Sequence, residues 1–212
     1  MSGGSQKFAQ DPPRPLTVNS RDVVPWSAPL VRVASTIGRH PLPWGALRHY
    51  GPVAGQRWDP HPPGPPQDHA PWGVLYCGDS LATACAEVGQ ATRTIDRVTG
   101  APVVMEWSPA RPLELLDLRS SATWLIRHGG ASALVHGVTS MTRRWAHGIA
   151  TDLGGVIDGL LVPSTMTGTN IVLFARASDT FPTAPRTSIP LTAPQLFPVL
   201  DRIAAQLGYE LV

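Results

Sequence analysis

Val74-Leu-Tyr-Cys77, Gly78-Asp-Ser80 and Leu81-Ala-Thr-Ala-Cys-Ala-Glu87 follow one another without a break. The first four residues suit a short buried strand. Gly78-Asp-Ser80 supplies a turn and, in Ser80, a side-chain oxygen that can cap a helix. Leu81, Ala84, Cys85 and Val88 then recur at i, i+3, i+4 and i+7, the period of a helix with one apolar face. At roughly 100° per residue, Glu87 lies about 110° from the centre of that face. It therefore flanks the core and looks along the edge of a sheet, while Tyr76 ends the strand just before the helix cap.

Upstream, Pro29-Leu-Val-Arg-Val-Ala-Ser-Thr36 alternates as a strand with Arg32 inside it, where an unpaired charge is costly. Residues 37–73 hold many turn formers and no sustained period. Six prolines fall between Pro60 and Pro71, which makes that segment a stiff extended loop. Arg57 stands between Gly55-Gln56 and Trp58-Asp-Pro60. Residues 1–28 are polar and broken by proline, and are expected to form a disordered or loosely attached lead. Downstream, Pro102–Trp107 and Leu113–Leu118 read as strands, Ser120–His128 as a short helix, and Ser140–Leu153 as a longer one stopped by Gly154-Gly155. Val156–Val162 and Asn170–Arg176 read as buried strands flanking a loop that Ser164 opens. Residues 179–193 are loop, and a last amphipathic helix starts at Thr192. About six strands interleaved irregularly with helices predict a compact α+β domain.

The composition agrees with a folded chain. Of 212 residues, 42% are hydrophobic and 15% charged, so a core is available and wholesale disorder is excluded. The net charge of +2 is too small for a nucleic-acid-binding face. Lys7 is the only lysine, so the remaining basic residues are arginines, which grip phosphate through a planar fork. Cys77 and Cys85 make neither a disulfide framework nor a zinc site, and the seven histidines have no ligand spacing, so no metal is expected. There is no secretory leader in Met1–Asp11 and no apolar run long enough for a membrane helix, which points to a cytoplasmic protein. Dinucleotide fingerprints, phosphate-binding loops and nucleophile-elbow motifs are also missing.

Taken singly, Arg32, Arg57, Tyr76, Glu87 and Ser164 have ordinary explanations as ion pairs, core, surface and turn. Taken together and in order, they form a pattern that resembles the RES domain, named for its Arg, Glu and Ser. The resemblance runs over about residues 29–178. It is carried by Leu30-Val-Arg32-Val, Gly55-Gln-Arg57-Trp-Asp, the Val74–Glu87 stretch, Arg144-Trp145-Ala, Ile157-Asp-Gly-Leu-Leu-Val-Pro-Ser164 and Gly168-Thr-Asn170-Ile-Val-Leu-Phe174. Val33 and Val88 stand where relatives often carry aromatic residues.

The resemblance implies a compact ADP-ribosyltransferase-like fold: a split, mostly antiparallel sheet with flanking helices and a cleft for NAD. The catalytic domain would span 29–178, with 179–212 as a C-terminal loop and helix packed on it. The implied activity is cleavage of the nicotinamide–ribose bond by phosphorolysis or hydrolysis, in the toxin of a bacterial toxin–antitoxin pair. The alternatives are ADP-ribosyl transfer to a protein or metabolite, and an inactive RES-like interaction protein. NAD is then a substrate and inorganic phosphate a possible co-substrate, with no bound cofactor. Glu87, Arg57 and Ser164 are the catalytic candidates, and Arg32, Arg57, Tyr76, Ser164 and Asn170 the candidates for NAD binding. The expected partner is a small Xre-like antitoxin that blocks the cleft, bordered by the Pro60–Pro71 and Ser164–Gly168 loops.

Overall fold

The computed structural model describes residues 9–38, 41–119 and 123–212. The strands are β1 (Val23–Trp26), β2 (Leu30–Ser35), β3 (Tyr50–Gly51), β4 (Gln67–Asp68), β5 (Val74–Gly78) and β6 (Thr94–Ile95). They continue with β7 (Pro102–Trp107), β8 (Leu113–Asp117), β9 (Gly159–Pro163), β10 (Thr169–Phe174), β11 (Thr187–Pro190) and β12 (Glu210–Leu211). The helices are α1 (Leu81–Val88), α2 (Trp124–Arg127), α3 (Thr139–Leu153) and α4 (Phe197–Leu207). Eight strands form one sheet in the order β1-β8-β9-β10-β5-β2-β7-β11. Its pairings are antiparallel except β8–β9. The α+β reading and the split, mostly antiparallel sheet both hold.

The split has a specific location. β2 pairs with β7 from Leu30 to Ser35, and β5 pairs with β10 from Val74 to Gly78. Between β2 and β5, however, only Val31 and Gly78 are in register. The two strands therefore part just beyond that point and leave an opening in the middle of the sheet.

Both faces of the central strands are covered, so these strands are apolar almost throughout. In β10, Val172 and Phe174 face α3 with Trp124, Trp145 and Ile149, while Ile171 and Leu173 face Leu30, Trp107 and Leu113. A third cluster joins β2 and β7 to α1 and α4 through Val31, Val33, Cys85, Val104, Leu200 and Ile203. Gly159 is required for close packing, since a Cβ there would lie 2.1 Å from the Val172 carbonyl oxygen. The neighbouring Asp158, fully buried, accepts hydrogen bonds from Arg111, Arg176 and the Glu114 N–H. It ties the β8–β9 edge to the turn that follows β10.

Several expectations are corrected. The loosely attached lead does not hold for residues 9–28: β1 is an edge strand on β8, and Leu16 is buried against α3. β1 is only four residues long and holds Pro25, so its sequence carries no strand signal of its own. Thr187–Pro190, read as loop, is strand β11, because β7 offers it an open edge. The last helix begins at Phe197, after a 3₁₀ turn over Pro194–Leu196. Of the short helix expected over Ser120–His128, Trp124–Arg127 is helical, and Ser120 lies outside the described residues. Val88, placed on the apolar stripe of α1, is instead 63% exposed. Among the described residues no helix is long and apolar enough to cross a membrane.

Candidate functional site

The strand–turn–helix of residues 74–88 forms as its local chemistry dictates. Ser80 caps α1 by accepting the Thr83 N–H at 3.1 Å, and the Gly89 N–H closes the other end on the Cys85 carbonyl. This carries Glu87 to the last turn of α1, beside the opening between β2 and β5.

There the Glu87 carboxylate accepts a 2.6 Å hydrogen bond from Ser164 Oγ. Ser164 Oγ itself accepts the backbone N–H groups of Met166 and Thr167, at 3.0 and 3.1 Å. With both acceptor positions engaged, its single proton is directed at Glu87. Ser164 thus orients the carboxylate and lines neither of the two cavities described below, which differs from a direct contact with ribose. The loop it opens is fastened along α1. Gln90 Nε2 donates to Thr165 Oγ1 at 2.7 Å, and the Asp79 carboxylate accepts the Thr169 N–H at 2.9 Å. Gly168, at φ +69°, lies so close to Asp79 and Thr83 that a Cβ would collide with both side chains.

Two adjoining cavities, about 460 and 160 Å³, open on Glu87. Gln56, Tyr76, Glu87 and Asn170 line both and form the wall between them. Arg32 and Arg48 line the larger, and Arg57 the smaller. The two arginines singled out in the sequence therefore stand on opposite sides of the carboxylate.

Arg32 donates to the Trp44 carbonyl at 3.1 Å, and burial holds its pKa below the usual guanidinium value. Arg57 donates to the Val135 and His136 carbonyls at 3.0 and 3.2 Å, so a 3₁₀ turn over Ser132–His136 holds its fork. The Tyr76 hydroxyl donates to the Arg57 carbonyl at 2.9 Å. Burial, with the nearby Asp59 charge, pushes the Tyr76 pKa far up and keeps the phenol neutral. The Gln56 and Asn170 side chains make no hydrogen bond to the described protein, and their amides are available to a ligand.

Sequence reasoning missed the support of the Arg57 segment. Asp59, fully buried, accepts from Arg48 Nη2 at 2.9 Å, from the Val53 N–H at 3.0 Å, and from both the backbone N–H and Nδ1 of His61. Burial acts to raise the Asp59 pKa. The bonds from His61 and Val53 and the Arg48 charge outweigh it, so the carboxylate is held well below its ordinary range. This knot closes a loop from Val53 to Asp59 that presents Gln56 and Arg57 to the cleft. Asp59 follows Arg57-Trp58 in the quoted motif and was a visible signal. Arg48 had none, since it reaches Asp59 only across the loop. The Pro60–Pro71 loop borders neither cavity at Glu87. It turns to the far side, where Pro63 and Gly64 face α3.

An arginine thus stands on each side of a carboxylate oriented by Ser164, in the gap of the split sheet. The sequence matches the RES domain over residues 29–194, and the chain belongs to this family. Among solved structures it is similar to a chain of the M. tuberculosis MbcT–MbcA toxin–antitoxin complex. That match has 23% identity and a TM-score of 0.53, and covers 89% of this chain and 92% of that one. No curated protein sequence matches it.

Proposed function

We propose that this protein cleaves NAD at the nicotinamide–ribose bond, passing the ribosyl carbon to water or inorganic phosphate, and that it is the toxin of a toxin–antitoxin pair. The observation that carries the reading is the Glu87 carboxylate, fixed by Ser164 on the wall between two cavities that each hold an arginine. As the C–N bond breaks, its electron pair returns to the pyridinium ring and nicotinamide leaves neutral. Positive charge then builds on the ribose, as in glycoside cleavage. Glu87 stabilises that charge, so a strong general acid is not needed. Arg32 and Arg57 balance the pyrophosphate or an incoming phosphate, Tyr76 offers a ring face, and the free Gln56 and Asn170 amides offer hydrogen bonds.

Incubation with NAD, with and without inorganic phosphate, tests this directly. Nicotinamide release with ADP-ribose or its 1″-phosphate as the second product, read by mass, is the expected result. NAD left intact overturns it.

Ser164→Ala is expected to lower kcat about 10- to 100-fold, the value of one hydrogen bond to a charged group, with little change in KM for NAD. Ser164→Thr, which keeps the hydroxyl, should recover much of the rate. Equal loss in both variants would make the role one of packing alone.

Arg57→Ala is expected to abolish most of the thermal stabilisation that NAD confers, and Arg57→Lys to restore it poorly, since an ammonium cannot span two carbonyls and a phosphate. Full NAD-induced stabilisation of Arg57→Ala would remove Arg57 from the binding site.

An enzyme that destroys NAD must be restrained in its own cell. The solved relative above belongs to a toxin–antitoxin complex. Here Leu42 and Val88, 40% and 63% exposed, stand on the rim of the larger cavity and suit a covering partner. Expression of the chain alone in a bacterial host should deplete NAD and arrest growth, and Glu87→Gln should relieve both. Normal NAD with abundant folded protein would count against a toxin.

A further inference from the structure

A second cavity, about 400 Å³, lies on the other side of the Val53–Asp59 loop, between α3 and the strap of residues 11–14. Its floor is one face of α3: Ser140, Arg143, Arg144 and His147 recur at i, i+3, i+4 and i+7. Its walls are Pro12, Pro52 and Pro63. Several arginines elsewhere in the fold meet carboxylates squarely, as Arg111 does with Asp158 and Arg119 with Asp117. The two here do not. Arg143 has one long contact, Nη1 to the Val53 carbonyl at 3.4 Å, and no carboxylate within ion-pair distance among the described residues. Among the described residues Arg144 is ion-paired at 2.6 Å only with Asp11, a carboxylate 71% exposed, and its Nη2 donates to Gln10 Oε1 at 3.4 Å; its buried Nε–H has no aligned hydrogen-bond acceptor. Arg14 is paired with Asp152.

A half-buried guanidinium with no carboxylate partner, beside one paired only with an exposed carboxylate and set among proline faces, disfavours an empty apolar site and favours an anion. The volume is that of a small-molecule pocket. We infer that this groove binds a small organic anion, a carboxylate or phosphate on a flat apolar body, with its charge on Arg143 and Arg144 and its body against Pro12, Pro52 and Pro63. The site is separate from the NAD cleft, although the Val53–Asp59 loop and its flanks run between them: Pro52 and His61 face the groove, and Gln56 and Arg57 face the cleft.

The test is calorimetric titration of the full chain with phenyl phosphate, benzoate and inorganic phosphate. At least one aryl anion should bind one to one, about tenfold tighter than inorganic phosphate because the body adds apolar burial. The stronger of the two aryl arms tells phosphate from carboxylate. Arg143→Gln combined with Arg144→Gln should weaken that binding about tenfold or more. Ser140→Trp, which fills the groove while keeping both arginines, should do the same and decides the matter if the double variant does not fold. Arg57→Ala, in the cleft, should leave it unchanged. The inference is overturned if neither aryl anion binds the wild type, if binding survives Ser140→Trp, or if Arg57→Ala abolishes it. Binding of a glutamate-rich peptide but of neither aryl anion would likewise overturn it, in favour of a protein partner. Because the readout is binding, it stands or falls apart from NAD turnover.

Discussion

Glu87→Gln is expected to melt like the wild type and to release nicotinamide from NAD about 10²–10³-fold more slowly, the usual loss when a group that stabilises transition-state charge is removed. The amide keeps the size of the carboxylate and an oxygen for the Ser164 hydroxyl, which stands 2.6 Å away in the wild type. What disappears is the negative charge facing the ribose as the glycosidic bond opens. The loss should fall on kcat, since Arg32 and Arg57 remain to hold NAD. Nicotinamide release followed chromatographically, beside a thermal melt, measures both. A folded variant working at the wild-type rate would remove Glu87 from the chemistry. A wild type that releases no nicotinamide would instead refute the NAD reading itself.

Asp158→Ala is expected to cost about 3 kcal/mol of stability, at the lower end for a broken buried ion pair because Arg111 and Arg176 are each 33% exposed and can turn to water. For a chain of this length that is roughly a 6–12 °C fall in Tm. Asp158 is fully buried and holds two guanidiniums and the Glu114 N–H, so its removal loosens the β8–β9 pairing and the turn after β10 together. The same group sets an acid limit. Burial acts to raise its pKa, but the bonds from Arg111 and Glu114 and the Arg176 charge outweigh it and hold the pKa below the ordinary carboxylate value. A depressed native pKa stabilises the fold above the unfolded carboxylate's pKa of about 4, and that contribution is lost as pH falls below it through the native value. Denaturant titrations at neutral pH and near pH 3 should show Asp158→Ala losing less to acid than the wild type. Equal acid sensitivity would mean that other carboxylates, such as the buried Asp59, set the limit.

The features legible beforehand were those governed by neighbouring residues. Ser80 caps α1 because its oxygen and the Thr83 N–H lie within one turn, and Glu87 falls beside the sheet edge because helical spacing places it there. The buried strands β9 and β10 announce themselves as apolar runs, and the ordered Arg, Tyr, Glu and Ser motifs carry the family. Backbone dihedrals and helical period act over a few residues, so the order of residues contains them.

Other features depend on pairings between segments far apart in the chain, and only the tertiary structure decided them. β2 and β5 part after a single register pair, and this makes the cleft. Arg32 and Arg57 lie on opposite sides of Glu87 because one rides on β2 and the other on a loop closed by buried Asp59. Ser164 points at Glu87, because two loop N–H groups fill its acceptor positions. The polar first segment docks because β8 has a free edge and α3 an apolar face for Leu16, and neither can be seen from residues 9–28 themselves. Local propensity determined the central elements, and open sheet edges with the satisfaction of buried charges and hydrogen bonds across the fold determined the edge strands and which side chains meet.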